Sequence, residues 1–406
     1  MQDVFPKIGH VNRTLLESDP TFRYFPAMRF DIACRVVDNF GDAGVALRLA
    51  RTLVAEHGAA VTLWIDDVRS LARIAPGLDA TSHDTACDGI RVRALAPCTA
   101  PDPSPDVVVE AFGCGLPDTW LDAMQAAPRT PVWINLEYLS AESWVDGAHG
   151  LPSRHPSRPL TRWFFFPGFT VETGGLLRER GLVEARDARA TVPDARTAPW
   201  TSLGFAPPED SALTVSLFCY PNDALPALLD AWADDDSPVA CLVPEGVATA
   251  AIDRFLHGAL PRPGCVARAG SLALAVVPFV DQAAFDRRLW ACDLDVVRGE
   301  DSLVRTLWAA RPLVWHAYPQ AEGAHRAKLA AFAERYVASL DEVTGSTWRA
   351  LQDAFNEGDG PALAAAWSPL KRALPVLATH ARRWARELAG LPDLTSQLVD
   401  FCRVRL

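Results

Sequence analysis

The chain has no CxxC pair, no GxGxxG after its first strand-like run, no GxxxxGK[ST] and no GxSxG. Each absence removes a class of chemistry. The first is a common metal and redox spacing, the next two mark dinucleotide and P-loop sites, and the last marks the nucleophile elbow of Ser/His/Asp hydrolases. The nine cysteines, at 34, 87, 98, 114, 219, 241, 265, 292 and 402, include several in apolar runs such as DIACRVV and SLFCY. They read as reduced core residues of a cytosolic protein. Positive charge is also scarce: 39 basic against 50 acidic residues leave a net charge of −11. That balance argues against a broad nucleic-acid surface and leaves room only for a local basic patch. No apolar run approaches the roughly 18 residues of a membrane span, and residues 1–27 lack the apolar stretch of a signal peptide. A cytoplasmic protein with a frayed leader at 1–27 and no membrane or nucleic-acid partner is expected.

Metal ligands are thin as well. The acidic runs Ile65–Asp67, Asp234–Asp236 and Asp293–Asp295 fall largely at element ends, where aspartate is common, and His316 and His325 are too far apart for a helical metal pair. No metal site is expected.

What is present is length and alternation. A chain of 406 residues with 49% hydrophobic content exceeds what one core normally serves, so two domains are expected. Short β-rich runs alternate with helical ones: RFDIACRVV, a helix from Ala43, AVTLWI, DVVVEAF, a helix near 117–125 and PVWINL. The pattern fades over 185–210, which gains proline and charge, and restarts with LTVSLFC, PVACLV, LALAVVPF, LDVVR and PLVWH, with a helix between each run and the next. This is α/β patterning with parallel sheets. The expected units are a doubly wound domain at 28–184, a linker at 185–210, a second doubly wound domain at 211–374 and, from Pro375 to 406, two amphipathic helices that return to brace the first domain. Ligands of two such domains belong in the cleft between them, at the carboxyl ends of the strands.

Two charged turns stand at such ends. In the first, Asp38 and Asp42 bracket Asn39, Phe40 and Gly41 between a strand and a helix. A glycine turn there usually cradles phosphate, and two aspartates oppose that use. Either Asp42 caps the helix while Asp38 solvates the turn, or the pair awaits a cation or an exchangeable proton. In the second turn Arg298, Gly299, Glu300, Asp301 and Ser302 lead into a helix whose free N–H groups suit a diphosphate, although Asp301 or Ser302 capping the helix explains part of the pattern. Phe279, Gln282 and Phe285 gather at another strand end. They read either as core or as a nucleobase slot in which an aromatic ring stacks and the amide reads the base edge. Phe218 and Tyr220 share one strand face nearby.

Together, VPFVDQ, RGEDS and ARPLVWHAYPQ resemble the nucleotide half of GT-B glycosyltransferases. RVVDNFGDAGVALRLAR, INLEYLSAESWV, FFFPGFT, SLFCYPN and VVRGEDSLVR resemble the EarP family, which rhamnosylates an arginine of elongation factor P. The resemblance implies a GT-B fold of two Rossmann-like domains and inverting transfer of L-rhamnose from dTDP-β-L-rhamnose to a guanidinium nitrogen, without a metal or other cofactor. It implies catalytic Asp38, Asp42 and Glu300. It further implies donor contacts from Asn39, Phe40, Gly41, Gly44, Phe218, Tyr220, Phe279, Gln282, Phe285, Arg298, Gly299, Asp301 and Ser302. An arginine side chain, with a pKa above about 12, is a poor nucleophile that carboxylates can hold, orient and deprotonate. Asp42 is read as general base, Asp38 as orienter, and Ser302's helix end with Arg298 as the stabiliser of the departing diphosphate. Two other readings remain at this stage: a GT-B enzyme with a small or lipid-linked acceptor, and a non-catalytic nucleotide-sugar-binding regulator.

Overall fold

A computed structural model describes residues 27–38, 40–96, 100–258, 262–320 and 323–406. The expected leader, apart from residue 27, and Asn39 lie outside the described residues.

The first sheet contains β1 (Arg29–Cys34), β2 (Ala60–Ile65), β3 (Asp84–Cys87), β4 (Ile90–Ala94), β5 (Val107–Ala111), β6 (Val132–Leu136), β7 (Pro152–Arg154) and β8 (Thr161–Phe165). Their order is β3-β4-β2-β1-β5-β6-β8-β7, with the inner six parallel and β3 and β7 antiparallel at the edges. The second sheet holds β9 (Leu213–Leu217), β10 (Val239–Pro244), β11 (Val266–Ala269), β12 (Leu272–Val277), β13 (Leu294–Arg298) and β14 (Leu313–His316). Its order is β11-β12-β10-β9-β13-β14, parallel except for the β11 edge. The central strands β5 (VVVEA), β6 (VWINL) and β10 (VACLVP) are buried along their whole length and carry near-continuous rather than alternating apolar residues.

In both sheets the strand order reverses once, between β1 and β5 and between β9 and β13. At such a switch point the loops leaving adjacent strands diverge to opposite faces and open a crevice. The Asp38–Asp42 turn follows β1. Phe218 and Tyr220 follow β9, and the Gly299–Ser302 turn follows β13. Topology therefore delivers both charged turns to the same place.

The last helix, Leu394–Arg403, buries Leu394, Leu398, Val399 and Cys402 among Phe30, Leu47, Leu53 and Phe165 of the first domain. Each buried aliphatic side chain contributes roughly 1.5–3 kcal/mol, enough to hold the chain's end across the domain boundary. The boundary expected at 374/375 falls inside one continuous helix, Gly360–Ala389, which runs through Pro369 and Pro375. The expected linker is not bare coil either. Helices Leu182–Ala190 and Ala198–Thr201 occupy part of it, and Trp200 is buried against Ala240, Leu242 and Ala275 of the second domain. The two domains also share apolar contact: Leu139, Ala141, Phe169 and Leu176 of the first belong to the core of the second.

Candidate active site

The helix after β1 begins at Phe40, three residues earlier than expected, so Asp42 stands inside its first turn. From there its Oδ2 reaches back and accepts the N–H groups of Val37 and Asp38, both at 2.8 Å. This is the reach of an acid in a capping box, and it closes the turn around Asp38. Asp42 is only 3% exposed, and the Tyr138 hydroxyl bonds the same carboxylate. Burial raises its proton affinity above the usual carboxylate range.

Asp38 points the other way, into the cleft. Its Oδ2 accepts the Tyr220 hydroxyl at 2.5 Å, a bond that crosses from one domain to the other. Two glycines press on the same oxygen: a Cβ at Gly41 would lie 2.5 Å from it, and one at Gly299 would lie 2.6 Å from it and 3.0 Å from the Tyr220 Oη. Gly299 also has φ +61°, a conformation that side chains disfavour. Burial pushes the Asp38 carboxyl up to about 6, against the opposing pull of the Tyr220 hydrogen bond.

The second turn binds the first domain through successive residues. Glu300 accepts the Leu139 N–H through Oε2 at 2.7 Å and Lys328 Nζ through Oε1 at 3.2 Å. Burial raises its proton affinity too. Asp301 Oδ1 accepts Arg48 Nε at 2.8 Å. The Ser302 hydroxyl accepts the Arg298 N–H at 3.1 Å and donates to the Arg298 carbonyl. Neither Asp301 nor Ser302 caps the helix Asp301–Ala309, whose cap residue Glu300 makes no capping bond. The capping reading of this turn therefore fails. Its side chains serve the domain interface and their own loop, and the first backbone N–H groups keep the polarity that attracts anions.

The Arg298 guanidinium lies 4.4 Å from the Phe218 ring centroid and 4.8 Å from that of Tyr220, with Nη1 donating to the Cys219 carbonyl at 3.2 Å. Phe218 meets Phe285 edge-on at 5.4 Å and Phe279 at 6.5 Å, and Phe40 closes on Phe279 at 4.6 Å. These four rings, with Asp38, Gly41, Gly44, Gln282, Arg298, Asp301 and Ser302, line a narrow cavity of about 50 Å³. It shares Asp38, Phe40, Phe279 and Arg298 with a cleft of about 630 Å³ that also takes in Tyr220, Arg69, Arg73 and Tyr318. Gln282 is 5% exposed, and its amide is engaged: Nε2 donates to the Gly44 carbonyl at 2.9 Å and Oε1 accepts Arg51 at 2.7 Å. Both bonds tie it to the first domain, so the base-reading amide expected from the sequence is a domain contact here.

Every described candidate residue thus sits at one interface, some in its cavities and some beneath them. Several of its neighbours were not anticipated. Arg48 lies off the apolar face of its helix, but the second domain covers it. It bonds Glu179, Asp286 and Asp301, while Arg305 bonds Glu179 and Asp286. Burial alone would raise the Glu179 carboxyl, yet the Arg305 and Arg48 guanidinium groups hold it down at about 2. Tyr138 stacks on Phe112 at 4.6 Å with Lys328 5.0 Å from its ring centroid, and Phe112 holds φ +58°. Nothing in a one-dimensional pattern marks these side chains, because their partners are distant in sequence and several lie in the other domain. Among the described residues no group of three or more His, Cys, Asp and Glu side chains is placed to hold a metal ion, and no helix is long and apolar enough to cross a membrane.

The site is therefore two-sided. One wall carries carboxylates with raised proton affinity, which favour a cationic or proton-donating guest. The other carries an arginine, a helix N-terminus and aromatic rings, which favour an anion attached to a planar ring. Residues 30–403 match the family described as "Elongation-Factor P (EF-P) rhamnosyltransferase EarP". Protein-arginine rhamnosyltransferases of Pseudomonas putida and Pseudomonas aeruginosa are 45% and 46% identical over 380 and 372 residues, each covering 92% of this chain and 98% of the relative. A solved structure described as "Structural basis for EarP-mediated arginine glycosylation of translation elongation factor EF-P" superposes with a TM-score of 0.67 at 34% identity, covering 93% of this chain and 100% of that one.

Proposed function

The chain belongs to the EarP family of protein-arginine rhamnosyltransferases, GT-B enzymes that modify elongation factor P, and from that premise we propose the donor, the stereochemistry and the task of each side chain. The donor is dTDP-β-L-rhamnose and the acceptor nitrogen belongs to an arginine of elongation factor P. The observation that carries this reading is the presence of Asp38, its turn closed from behind by Asp42, with Arg298 and the start of the 301–309 helix around one slot lined by phenylalanines.

An arginine guanidinium is protonated and its lone pairs are delocalised, so it needs both orientation and loss of a proton to attack carbon. Asp38, fixed by Tyr220 and projecting into the cleft, holds the guanidinium by a charge-assisted hydrogen bond. Asp42, locked by two backbone N–H groups and raised in proton affinity, takes the proton as the nitrogen bonds to the anomeric carbon. The bond from that carbon to the diphosphate oxygen breaks on the opposite face, its electron pair leaving with the diphosphate, so the configuration inverts. Arg298 and the helix end receive the growing negative charge, the part a divalent cation plays in other transferases. Glu300, tied to Leu139 and Lys328, keeps the two domains in register across the reacting groups. The reaction needs no metal and belongs in the cytoplasm, where a translation factor works.

The anomeric configuration of the product tests the stereochemistry. NMR of modified elongation factor P is expected to show an α-linked rhamnosyl-arginine at an EDTA-insensitive rate. A β linkage overturns the single-displacement mechanism, and loss of activity with EDTA overturns the metal-free one. A small or lipid-linked acceptor, or a purely regulatory role, predicts no sugar on elongation factor P in the same reaction.

A further inference from the structure

Arg288 lines the narrow aromatic cavity and, unlike Arg48 and Asp301, which line it too and pair with each other, has a task neither in the proposed reaction nor in the ion pairs of the domain interface. It stands on the helix Gln282–Ala291, one turn beyond Phe285 and on the same side, so the two side chains are neighbours. Arg288 is only 6% exposed and lines the cavity with Ile74, Phe218, Pro244, Phe279 and Phe285. Its Nη2 donates to the Pro278 carbonyl at 3.1 Å, whereas Nη1 has no hydrogen-bond partner among the described residues. No ion pair is formed with it either. Asp286, two residues away, is taken by Arg48 and Arg305. Burial lowers the Arg288 guanidinium to about 10, the cost of a cation held in low dielectric without a counter-charge.

A buried guanidinium with a free N–H is destabilising unless something fills it, and the filling group must be an acceptor. Position decides which one. Arg298, proposed to meet the diphosphate, lies against Phe218 and Tyr220, while Arg288 stands one helical turn from Phe285 and bonds the carbonyl of Pro278, which precedes Phe279, so it belongs with the rings proposed to hold a base. The Gln282 amide is bonded to Gly44 and Arg51, and among the described side chains lining the cavity Arg288 Nη1 is the buried polar atom that has no partner. We infer that Arg288 is the base-recognition residue of the donor pocket, its Nη1 donating to a ring carbonyl oxygen of the pyrimidine while the phenylalanines hold the ring. The inference rests on the nucleotide-donor reading above and adds the group that selects the base.

Calorimetric titration of the full-length protein with dTDP and, separately, with inorganic diphosphate tests it. Arg288→Met is expected to weaken dTDP binding about 10- to 100-fold, the worth of one hydrogen bond to a charged donor, and to leave diphosphate binding unchanged. Arg288→Gln, which keeps a neutral donor, is expected to fall between, and thermal unfolding without ligand checks that both variants are folded. Folded variants that bind dTDP as the wild type does, or that weaken dTDP and diphosphate equally, overturn the inference. Wild-type protein that binds no dTDP overturns the donor reading itself, and this inference with it.

Discussion

Tyr220→Phe removes one oxygen atom, and the structure says what that atom does. Its hydroxyl donates to Asp38 Oδ2 at 2.5 Å from the opposite domain, in a pocket where Gly41 and Gly299 leave no room for another group on that oxygen. Burial already raises Asp38 to about 6, and the tyrosine is the foremost influence drawing it down. A hydrogen bond to a charged group is worth about 1.5–3 kcal/mol, and one pKa unit corresponds to about 1.4 kcal/mol. Because solvent reaches Asp38 through the cleft, the lower part of that range applies, and the phenylalanine variant should titrate about one unit higher. The sign follows from what Asp38 must do. It holds a cationic guanidinium only when ionised, so activity is lost as pH falls through its pKa. The acid limb of kcat/KM, which reports the free enzyme, is expected near pH 6 in the wild type and near pH 7 in the variant. At pH 8 the two rates should converge, apart from looser positioning. The assay is initial-rate transfer to elongation factor P across pH 5 to 9, read by mass spectrometry. An acid limb that does not move would refute the claim that Tyr220 sets the state of Asp38.

Gly299→Ala should cost more than tenfold in activity and about 1–2 kcal/mol in stability, since its Cβ meets Asp38 and Tyr220 at a positive φ. Gly358→Ala, equally positive in φ but open around its Cβ, is the control and should lower only the melting temperature. Arg48→Met strands Asp286, Asp301 and Glu179 with Arg305 alone and should destabilise the chain by about 3–5 kcal/mol, measured by urea unfolding; a loss under 1 kcal/mol would show the cluster to be incidental. Asp295, wholly buried on β13, is held well above the usual carboxylate range, first by burial. A raised folded-state pKa means that stability is full below about pH 4 and declines as pH rises through that range. Asp295→Asn should therefore match the wild type near pH 4 and exceed it at pH 7; identical pH profiles would contradict the assignment.

Most inner strands were legible because they are largely apolar and alternate with helices, whereas β4 (IRVRA) and β8 (TRWFF), which carry charge and are partly exposed, were not marked. The edge strands β3, β7 and β11 were not, since Asp84–Cys87 or Val266–Ala269 is short, half exposed and rich in polar or small residues. In the site, the residue types at strand ends mark Asp38, Arg298 and the phenylalanines, which the fold brings to one cavity. The partners of those residues did not show, for they depend on how two domains meet. Gln282 looked like a free amide and is a domain contact. Arg48 lies off the apolar face of its helix and is nevertheless 4% exposed. Asp42 looked like a cap and instead closes the turn upstream of its own helix. Arg288 gave no sign at all, because an unpartnered donor is defined by its surroundings.

The most direct test of the central claim is the intact mass of elongation factor P after incubation with dTDP-β-L-rhamnose and either the wild-type protein or Asp42→Asn. The amide keeps an oxygen for the Val37 and Asp38 N–H groups while losing the ability to take a proton. The account predicts a gain of one deoxyhexose on an arginine with the wild type, and at least a hundredfold slower gain with a variant that still binds dTDP. No gain with the wild type, or an undiminished rate with Asp42→Asn, would contradict it.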